Sequence, residues 1–218
     1  MVGKPYPVSV TRNPYRTMQA EHISPKQFFP CSTPEDYAES GKRAARRLLE
    51  GLARFAPDKH ISVCDYGSGD GRVAQYVAPS IEEFTCVELT PVLLAATRRT
   101  LEGLHYENIR YRLAQGFPGT ERFDFIYAMQ VLQHNTYAAQ IDIIKSIREG
   151  LSDAGFACIH LPNKDRTDKP EKRDSSTCMW FSFDMVGEVA SYFSRYILEA
   201  SSMTDYYLWV WKDMTWKA

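Results

Sequence analysis

The sequence has 218 residues, with 26 lysine and arginine residues against 27 aspartate and glutamate residues, and 44% of its residues are hydrophobic. This length predicts one large domain or one domain with a cap, and the hydrophobic content predicts a folded core rather than a disordered chain. The net charge of −1 argues against a protein that binds nucleic acid by neutralising phosphates, so we expect no nucleic-acid partner.

Neither a membrane span nor a secretory signal is expected. No apolar run approaches the roughly 18 residues of a spanning helix, and the N-terminal residues lack the apolar core of a signal peptide. The five cysteines are odd in number and contain no CxxC pair, which favours buried reduced thiols over a disulfide framework or a metal site. We therefore expect a cytoplasmic protein without a bound metal.

The first 34 residues contain six of the twelve prolines, so they are predicted to form an N-terminal arm or lid with at most a short helix near residues 14–22. Thr33 is then a suitable helix cap, with Pro34 at the first helical position. Apolar residues follow at spacings of three, four and seven, which predicts a helix over residues 34–55.

Strands and helices alternate after residue 60. Strands are predicted at 60–65, 84–88, 109–113, 123–129, 156–161, 195–200 and 206–212. Helices are predicted at about 72–79, 91–104, 138–151 and 183–193. Residues 163–178 are polar and charged and are predicted to form a mobile insertion near the substrate site. This alternation is typical of an α/β fold with a mostly parallel sheet, which binds ligands at the carboxyl ends of its strands.

A glycine-rich turn is the most informative motif. The apolar strand ending at Asp65 runs into three glycines at alternating positions, Gly67, Gly69 and Gly71, and then into a helix. Glycine permits a sharp turn and a close approach of a ligand, and the helix start offers free N–H groups to an anion. A second acid, Glu88, ends the next strand, where a carboxylate can accept hydrogen bonds from both hydroxyls of a ribose. Together these features predict a ligand that contains a nucleoside.

The spacing of the glycines departs from the G-x-G-x-x-G fingerprint of dinucleotide-binding proteins, because Arg72 occupies the position of the third glycine. A Tyr-x-x-x-Lys pair of the kind used by short-chain dehydrogenases is also absent from the sequence. A nucleotide-dependent oxidoreductase therefore stays only as an alternative.

The motif D-x-G-x-G-x-G, the acid that closes the second strand and the segment Phe123-Asp-Phe-Ile-Tyr in the fourth strand resemble class I S-adenosylmethionine-dependent methyltransferases of the small-molecule branch. The segment Gly150-Leu-Ser-Asp-Ala-Gly resembles the corner before their fifth strand, with Ala154 in place of a usual glycine. The resemblance implies a Rossmann-like three-layer sandwich whose seven-stranded, mostly parallel sheet has an antiparallel last strand. It assigns residues 35–218 to the methyltransferase domain.

The resemblance also implies how S-adenosylmethionine would bind. The three glycines would hold its methionine part, Asp65 its ammonium group and Glu88 its ribose, leaving S-adenosylhomocysteine as the product. Leu89 would contact the adenine, Gln115 would accept a hydrogen bond from the adenine amine and Phe117 would stack on the ring. The remaining cofactor-binding residues implied are Gly116 after the third strand and Met129 and Gln130 at the end of the fourth.

A hydroxyl acceptor must lose its proton during methyl transfer, and histidine is the usual base near neutral pH. His134, just past the fourth strand, is the first candidate, although it is equally consistent with a structural role that tethers the loop. His160 and Asn163 at the end of the fifth strand also face the expected pocket. His22 would join the substrate site if the arm folds over it. His60 and His105 are predicted at the surface.

The expected activity is therefore methyl transfer to an oxygen, or to a nitrogen, of a small molecule or saccharide. A (D/N)PP(Y/F) motif of nucleic-acid amino-methyltransferases does not follow the fourth strand, where the sequence is Met129-Gln-Val-Leu132. The alternatives are a non-catalytic S-adenosylmethionine-binding or scaffold protein and the oxidoreductase. A monomer or a homodimer is expected.

Overall fold

The computed structural model describes residues 33–57, 60–104, 106, 109–162, 181, 183–200 and 205–213. The predictions for the arm before Thr33, for its short helix, for the 163–178 insertion and for His105 lie outside the described residues. So do those for His22 and Asn163.

The described elements follow the predicted order closely. The helices are α1 (Pro34–Phe55), α2 (Ala74–Val77), α3 (Pro91–Glu102), α4 (Tyr137–Gly150) and α5 (Phe183–Ala190). The strands are β1 (Ser62–Tyr66), β2 (Glu83–Glu88), β3 (Ile109–Leu113), β4 (Phe123–Ala128), β5 (Leu151–Pro162), β6 (Arg195–Ala200) and β7 (Asp205–Trp211). Short 3-10 turns follow α2 at Ala78–Ser80 and β4 at Leu132–His134. Within the described ranges, no helix is long and apolar enough to cross a membrane.

One seven-stranded sheet organises the fold, in the order β3-β2-β1-β4-β5-β7-β6. Neighbouring strands run parallel except at β7, which is antiparallel to both β5 and β6. The predicted mixed sheet with an antiparallel last strand is confirmed. The chain leaves β1 toward β2 on one side and returns through β4 on the other, so the crevice of this α/β sheet lies at the carboxyl ends of β1 and β4.

Helices cover both faces of the sheet, which confirms the three-layer sandwich. Residues of α1, α2 and α3 pack on one face, where Trp209 and Phe125 are almost fully buried. Residues of α4 and α5 pack on the other face. The aromatic residues at alternate positions of β7, Tyr207, Trp209 and Trp211, belong to the first of these two cores. Cys64, Cys86 and Cys158 are buried free thiols, as expected.

Helix α1 begins with a complete capping box. The Thr33 side chain accepts from the Asp36 N–H at 3.1 Å, and the Asp36 carboxylate accepts from the Thr33 N–H at 3.3 Å. The helix bounds agree with the predicted 34–55 because cap, proline and apolar periodicity all indicate the same start and face. On the same helix, Arg47 is partly buried and pairs with Glu199 at 3.0 Å.

Gly51 allows α1 to approach β7 closely, since a Cβ at this position would overlap the indole of Trp209. Replacing Gly51 with alanine is expected to lower the free energy of unfolding by about 1–3 kcal/mol through overpacking. The matched control is Gly187→Ala in α5, where a Cβ would meet nothing within 4 Å. That control is expected to be neutral or stabilising by about 0.5–1 kcal/mol. Urea denaturation of both variants tests this, and equal stability of the two would contradict it.

Two boundaries differ from the sequence prediction by three residues or more. Strand β5 starts at Leu151, immediately after α4, instead of at residue 156, and its register with β4 shifts between Phe123 and Phe125. This irregularity lets β5 pair with β4 on both sides of the Gly155 corner. Helix α5 ends at Ala190, so Phe193 lies beyond it, although its side chain is still buried.

Candidate active site

The glycine turn follows β1 in an unusual backbone conformation. Gly67, Gly69 and Gly71 have φ values of 82°, 62° and 87°, a region that residues with a Cβ rarely adopt. The Gly67 N–H donates to the carbonyl of Val87 at 2.8 Å, which ties the turn to β2. A Cβ at Gly67 would overlap the Val131 side chain. The alternating glycines are therefore required by backbone geometry and by the close approach of the chain after β4.

Glu88 closes β2 beside this turn, as predicted. One carboxylate oxygen accepts from the Gly69 N–H at 2.9 Å and the other from the Leu89 N–H at 2.6 Å. Burial raises the pKa of Glu88, and the backbone N–H groups around it oppose that rise. A carboxylate has about four acceptor sites, so Glu88 keeps acceptor capacity beyond these backbone donors for neutral groups such as hydroxyls.

Asp65 lies at the end of β1 and is 2% exposed. Burial raises its pKa to about 8; the charge of Glu88 adds to the rise, while the Tyr127 hydroxyl and Arg72 oppose it. Tyr127 lies close enough to affect Asp65, yet no hydrogen bond of normal geometry reaches its hydroxyl within the described part of the chain. A cationic group placed beside this buried carboxyl would lower its pKa and favour the ionised carboxylate.

A polar cluster beside the turn was not anticipated from the sequence. Arg72 is 8% exposed and donates to Ser40 and to Gln130, each at 3.0 Å. The Tyr37 hydroxyl donates to the Asp70 carboxylate at 2.8 Å. The cluster fastens the start of α1 to the glycine turn and to the end of β4. Tyr37 follows the apolar periodicity of α1, so the sequence carried no signal that its hydroxyl would reach the turn.

The residues predicted to contact the adenine differ in exposure. Leu89 is 48% exposed, and Gln115 and Gly116 are exposed after β3, so all three are accessible to a ligand. The Phe117 ring is buried, lies edge-on to Tyr66 at 5.1 Å and stacks on Phe123 at 6.0 Å. Its stacking on adenine stays a prediction.

The chain turns sharply after β4. Gln130 has a φ of 60°, which is uncommon for a residue with a side chain and marks a constrained position. Met129 beside it is buried. The following 3-10 turn ends at the partly exposed His134. Gln140 of α4 donates to two carbonyls of this segment, those of Leu132 at 2.8 Å and Asn135 at 3.1 Å, so its side chain tethers the loop to α4.

His160 lies near the carboxyl end of β5 and is 2% exposed. Its Nε2 lies 3.4 Å from a carboxylate oxygen of Asp205, and its ring meets the Tyr207 ring edge-on at 5.3 Å. His60, by contrast, is exposed at the surface beside Glu82, as predicted. Among the described residues, no group of three or more potential ligands is arranged to hold a metal ion.

The sequence profile of the family described as "Methyltransferase domain" matches residues 40–200 of the chain. The chain belongs to this methyltransferase family. Its fold is that of the class I S-adenosylmethionine-dependent methyltransferases, as the resemblance predicted. S-adenosylmethionine is thus the cofactor of this enzyme class, and the oxidoreductase alternative loses its support.

One curated relative of the methyltransferase is a protein-L-isoaspartate O-methyltransferase from Picosynechococcus sp. (strain ATCC 27264 / PCC 7002 / PR-6), 36% identical over 61 residues. The match covers 28% of this chain and spans only 28% of that relative's length. It is therefore a local similarity within the shared domain.

Solved structures share the fold of the methyltransferase at low identity. The CurJ carbon methyltransferase is 14% identical with a TM-score of 0.62, over 89% of this chain and 62% of that one. The magnesium protoporphyrin IX methyltransferase of Synechocystis PCC 6803, solved with S-adenosylhomocysteine, is 14% identical with a TM-score of 0.59, over 82% and 86%. The glycopeptide N-methyltransferase MtfA is 16% identical with a TM-score of 0.60, over 83% and 98%.

Proposed function

We propose that this methyltransferase transfers the methyl group of S-adenosylmethionine to an oxygen, or to a nitrogen, of a small molecule or saccharide. The observation that carries the proposal is the Glu88 carboxylate. Two backbone N–H groups hold it beside a glycine turn, and it retains free lone pairs for a ribose. A buried acid, Asp65, stands one strand away, on the side where the methionine part of the cofactor would lie.

The described residues fit the cofactor. The turn at Gly67, Gly69 and Gly71 offers backbone without side chains to the methionine part, and Asp65 offers a carboxylate to its ammonium. Leu89, Gln115 and Gly116 are accessible where the adenine would lie. When bound, the cofactor supplies a methyl group on a positively charged sulfur.

The chain itself contributes positioning, exclusion of water and a route for the acceptor's proton. Met129 and Gln130 follow β4 beside the turn. His134 lies a few residues further on, and His160 lies near the carboxyl end of β5. A histidine can take the proton that a hydroxyl acceptor must lose, which favours oxygen as the target atom. The contributions predicted for His22 and Asn163 concern residues outside the described part of the chain.

The size of the acceptor is inferred from charge and from the structural relatives. With a net charge of −1, the protein lacks the basic excess with which polynucleotide-binding proteins neutralise phosphates. The structural relatives include a carbon methyltransferase, a magnesium protoporphyrin IX methyltransferase and a glycopeptide N-methyltransferase. These different activities support a small acceptor, but they do not identify the atom that receives the methyl group. A cytoplasmic location and a monomeric or homodimeric state remain predictions.

Two measurements on the purified protein test the proposal. Calorimetric titration is expected to show binding of S-adenosylhomocysteine in the micromolar range and no binding of NADH. Transfer of tritiated methyl groups from S-adenosylmethionine is then measured with a panel of phenols, sugar alcohols, carboxylates and amines. We expect a hydroxyl compound to be the best acceptor. Binding without transfer to any compound would favour the non-catalytic alternative, and an absence of S-adenosylhomocysteine binding would contradict the proposal.

A further inference from the structure

His160 lies on the same face of the sheet as Asp65. It follows Cys158 at a spacing of two, so its side chain lies on the α1 face of β5, where Cys158 and Leu48 belong to one core cluster. Asp65 pairs with Tyr127 and Tyr127 with Cys158 across β1, β4 and β5. Cys158 is thus about 10 Å from Asp65, at two strand spacings, and His160 lies two residues beyond Cys158 toward the carboxyl end of β5.

The two ring nitrogens of His160 have different surroundings. Nε2 lies 3.4 Å from the Asp205 carboxylate, whereas Nδ1 is buried and has no hydrogen-bond partner among the described residues. A neutral imidazole carries its proton on one nitrogen and a lone pair on the other, and a carboxylate can only accept. Asp205 therefore favours the proton on Nε2 and leaves the lone pair on Nδ1.

An unpartnered buried acceptor is unfavourable, so it calls for an explanation. The neighbouring groups among the described residues supply no partner: Tyr207 meets the ring edge-on, and Arg47 lies over the Tyr207 ring and pairs with Glu199. A ligand hydroxyl that reached Nδ1 would supply the missing hydrogen-bond donor.

We propose that His160, and not His134, is the general base of the reaction, and that Asp205 is its positioning residue. This inference rests on the proposed function and commits to a hydroxyl acceptor. The acceptor oxygen loses its proton to Nδ1 and keeps the electron pair of the O–H bond for its new bond to the methyl carbon. The electron pair of the carbon–sulfur bond leaves with the sulfur, which becomes a neutral thioether. The imidazolium that results is stabilised by Asp205, as in other aspartate–histidine pairs.

The first test locates the proton without any turnover. Two-bond nitrogen–proton NMR spectra of 15N-histidine-labelled protein distinguish the two tautomers, and His160→Gln assigns the signal among the five histidines. We expect the proton of His160 on Nε2, and a larger share on Nδ1 in Asp205→Asn. A proton on Nδ1 in the unaltered protein would overturn the inference, as would a tautomer insensitive to Asp205→Asn.

The second test uses the best hydroxyl acceptor and the best carboxylate acceptor of the panel described above. His160→Gln is expected to lower kcat for the hydroxyl acceptor by about 10²–10⁴-fold and to change kcat for the carboxylate much less, because a carboxylate is already ionised. A purely structural role would lower both rates together and would overturn the inference. A wild-type rate retained in His160→Gln but lost in His134→Gln would overturn it in favour of His134.

Controls separate this inference from the proposed function. His60→Gln removes an exposed histidine at the start of β1 and is expected to leave turnover unchanged. Binding of S-adenosylhomocysteine to His160→Gln and Asp205→Asn is expected within threefold of the unaltered protein. Failure of the unaltered protein to bind S-adenosylhomocysteine contradicts the proposed function, whereas the NMR result still decides the state of His160.

Discussion

Replacing Glu88 with alanine is expected to weaken the binding of S-adenosylhomocysteine by about 10²–10⁴-fold. The carboxylate is positioned to accept both ribose hydroxyls, and each hydrogen bond to a charged group contributes about 1.5–3 kcal/mol. Two such bonds amount to about 3–6 kcal/mol, and each 1.4 kcal/mol corresponds to about a tenfold change in the dissociation constant. Isothermal titration calorimetry measures the loss directly.

A second effect acts in the same direction. The Gly69 and Leu89 N–H groups both lose their acceptor in the variant, so the turn is held less firmly before the ligand arrives. Glu88→Gln separates the two effects, because its single amide oxygen can still accept from one N–H group. We expect its affinity to lie between those of the alanine variant and the unaltered protein.

The matched control is Glu83→Ala, at the opposite end of the same strand. Glu83 is exposed and pairs with Arg110 at 3.1 Å, far from the carboxyl edge of the sheet. We expect its affinity for S-adenosylhomocysteine to stay within twofold. If Glu88→Ala remains folded by thermal denaturation and binds within threefold of the unaltered protein, the assignment of Glu88 to the ribose is wrong.

Local signals in the sequence were sufficient for most elements of the fold. Helix α1 could be bounded because Thr33, Pro34 and Asp36 are specific to the first turn of a helix. The turn at Gly67 could be recognised because glycine adopts its backbone conformation far more readily than residues with a Cβ. Such features act over a few residues, so the sequence displays them directly.

Features that depend on packing between distant elements were not accessible in the same way. Phe117 lies beside the predicted adenine site in sequence, but its direction is set by contacts with Tyr66 and Phe123 that no local pattern reveals. The approach of Asp205 to His160 depends on the antiparallel register of β7 with β5, across more than 40 residues. The sequence therefore predicted the location of the site better than the partners of its side chains.

The buried carboxyl of Asp65 is expected to make cofactor binding depend on pH, with the tightest binding of S-adenosylhomocysteine near pH 8. Because the pKa of Asp65 is raised to about 8, mainly by burial, the group is neutral at pH 6 in the free protein. An ammonium group beside it would favour the carboxylate, so binding at pH 6–7.5 releases a proton. The dissociation constant then falls by up to about tenfold per pH unit as the pH rises toward 8.

At still higher pH the sign reverses. The α-amino group of the ligand belongs to a free amino acid, so its pKa lies above that of a chain N-terminus; once it is neutral it must gain a proton to pair with the carboxylate, and affinity falls again. Calorimetric titrations in buffers with different ionisation enthalpies measure the number of protons that are released or taken up when S-adenosylhomocysteine binds. Since burial also raises the pKa of Glu88, Asp65→Asn is needed to isolate the contribution of Asp65. That variant is expected to bind weakly, with a much smaller pH dependence.

The same substitution is expected to stabilise the free protein at alkaline pH. An acid whose pKa is raised on folding binds more protons in the folded state, so its contribution to stability is lost as pH rises from about 4 to 8. Asp65→Asn removes this loss and should raise the melting temperature, relative to the unaltered protein, by at least ~3 °C more at pH 8.5 than at pH 5. The control Asp153→Asn alters an exposed carboxylate and should leave the melting temperature unchanged at both pH values. If the melting temperatures of Asp65→Asn and the unaltered protein depend on pH in the same way, Asp65 is already ionised before the cofactor binds.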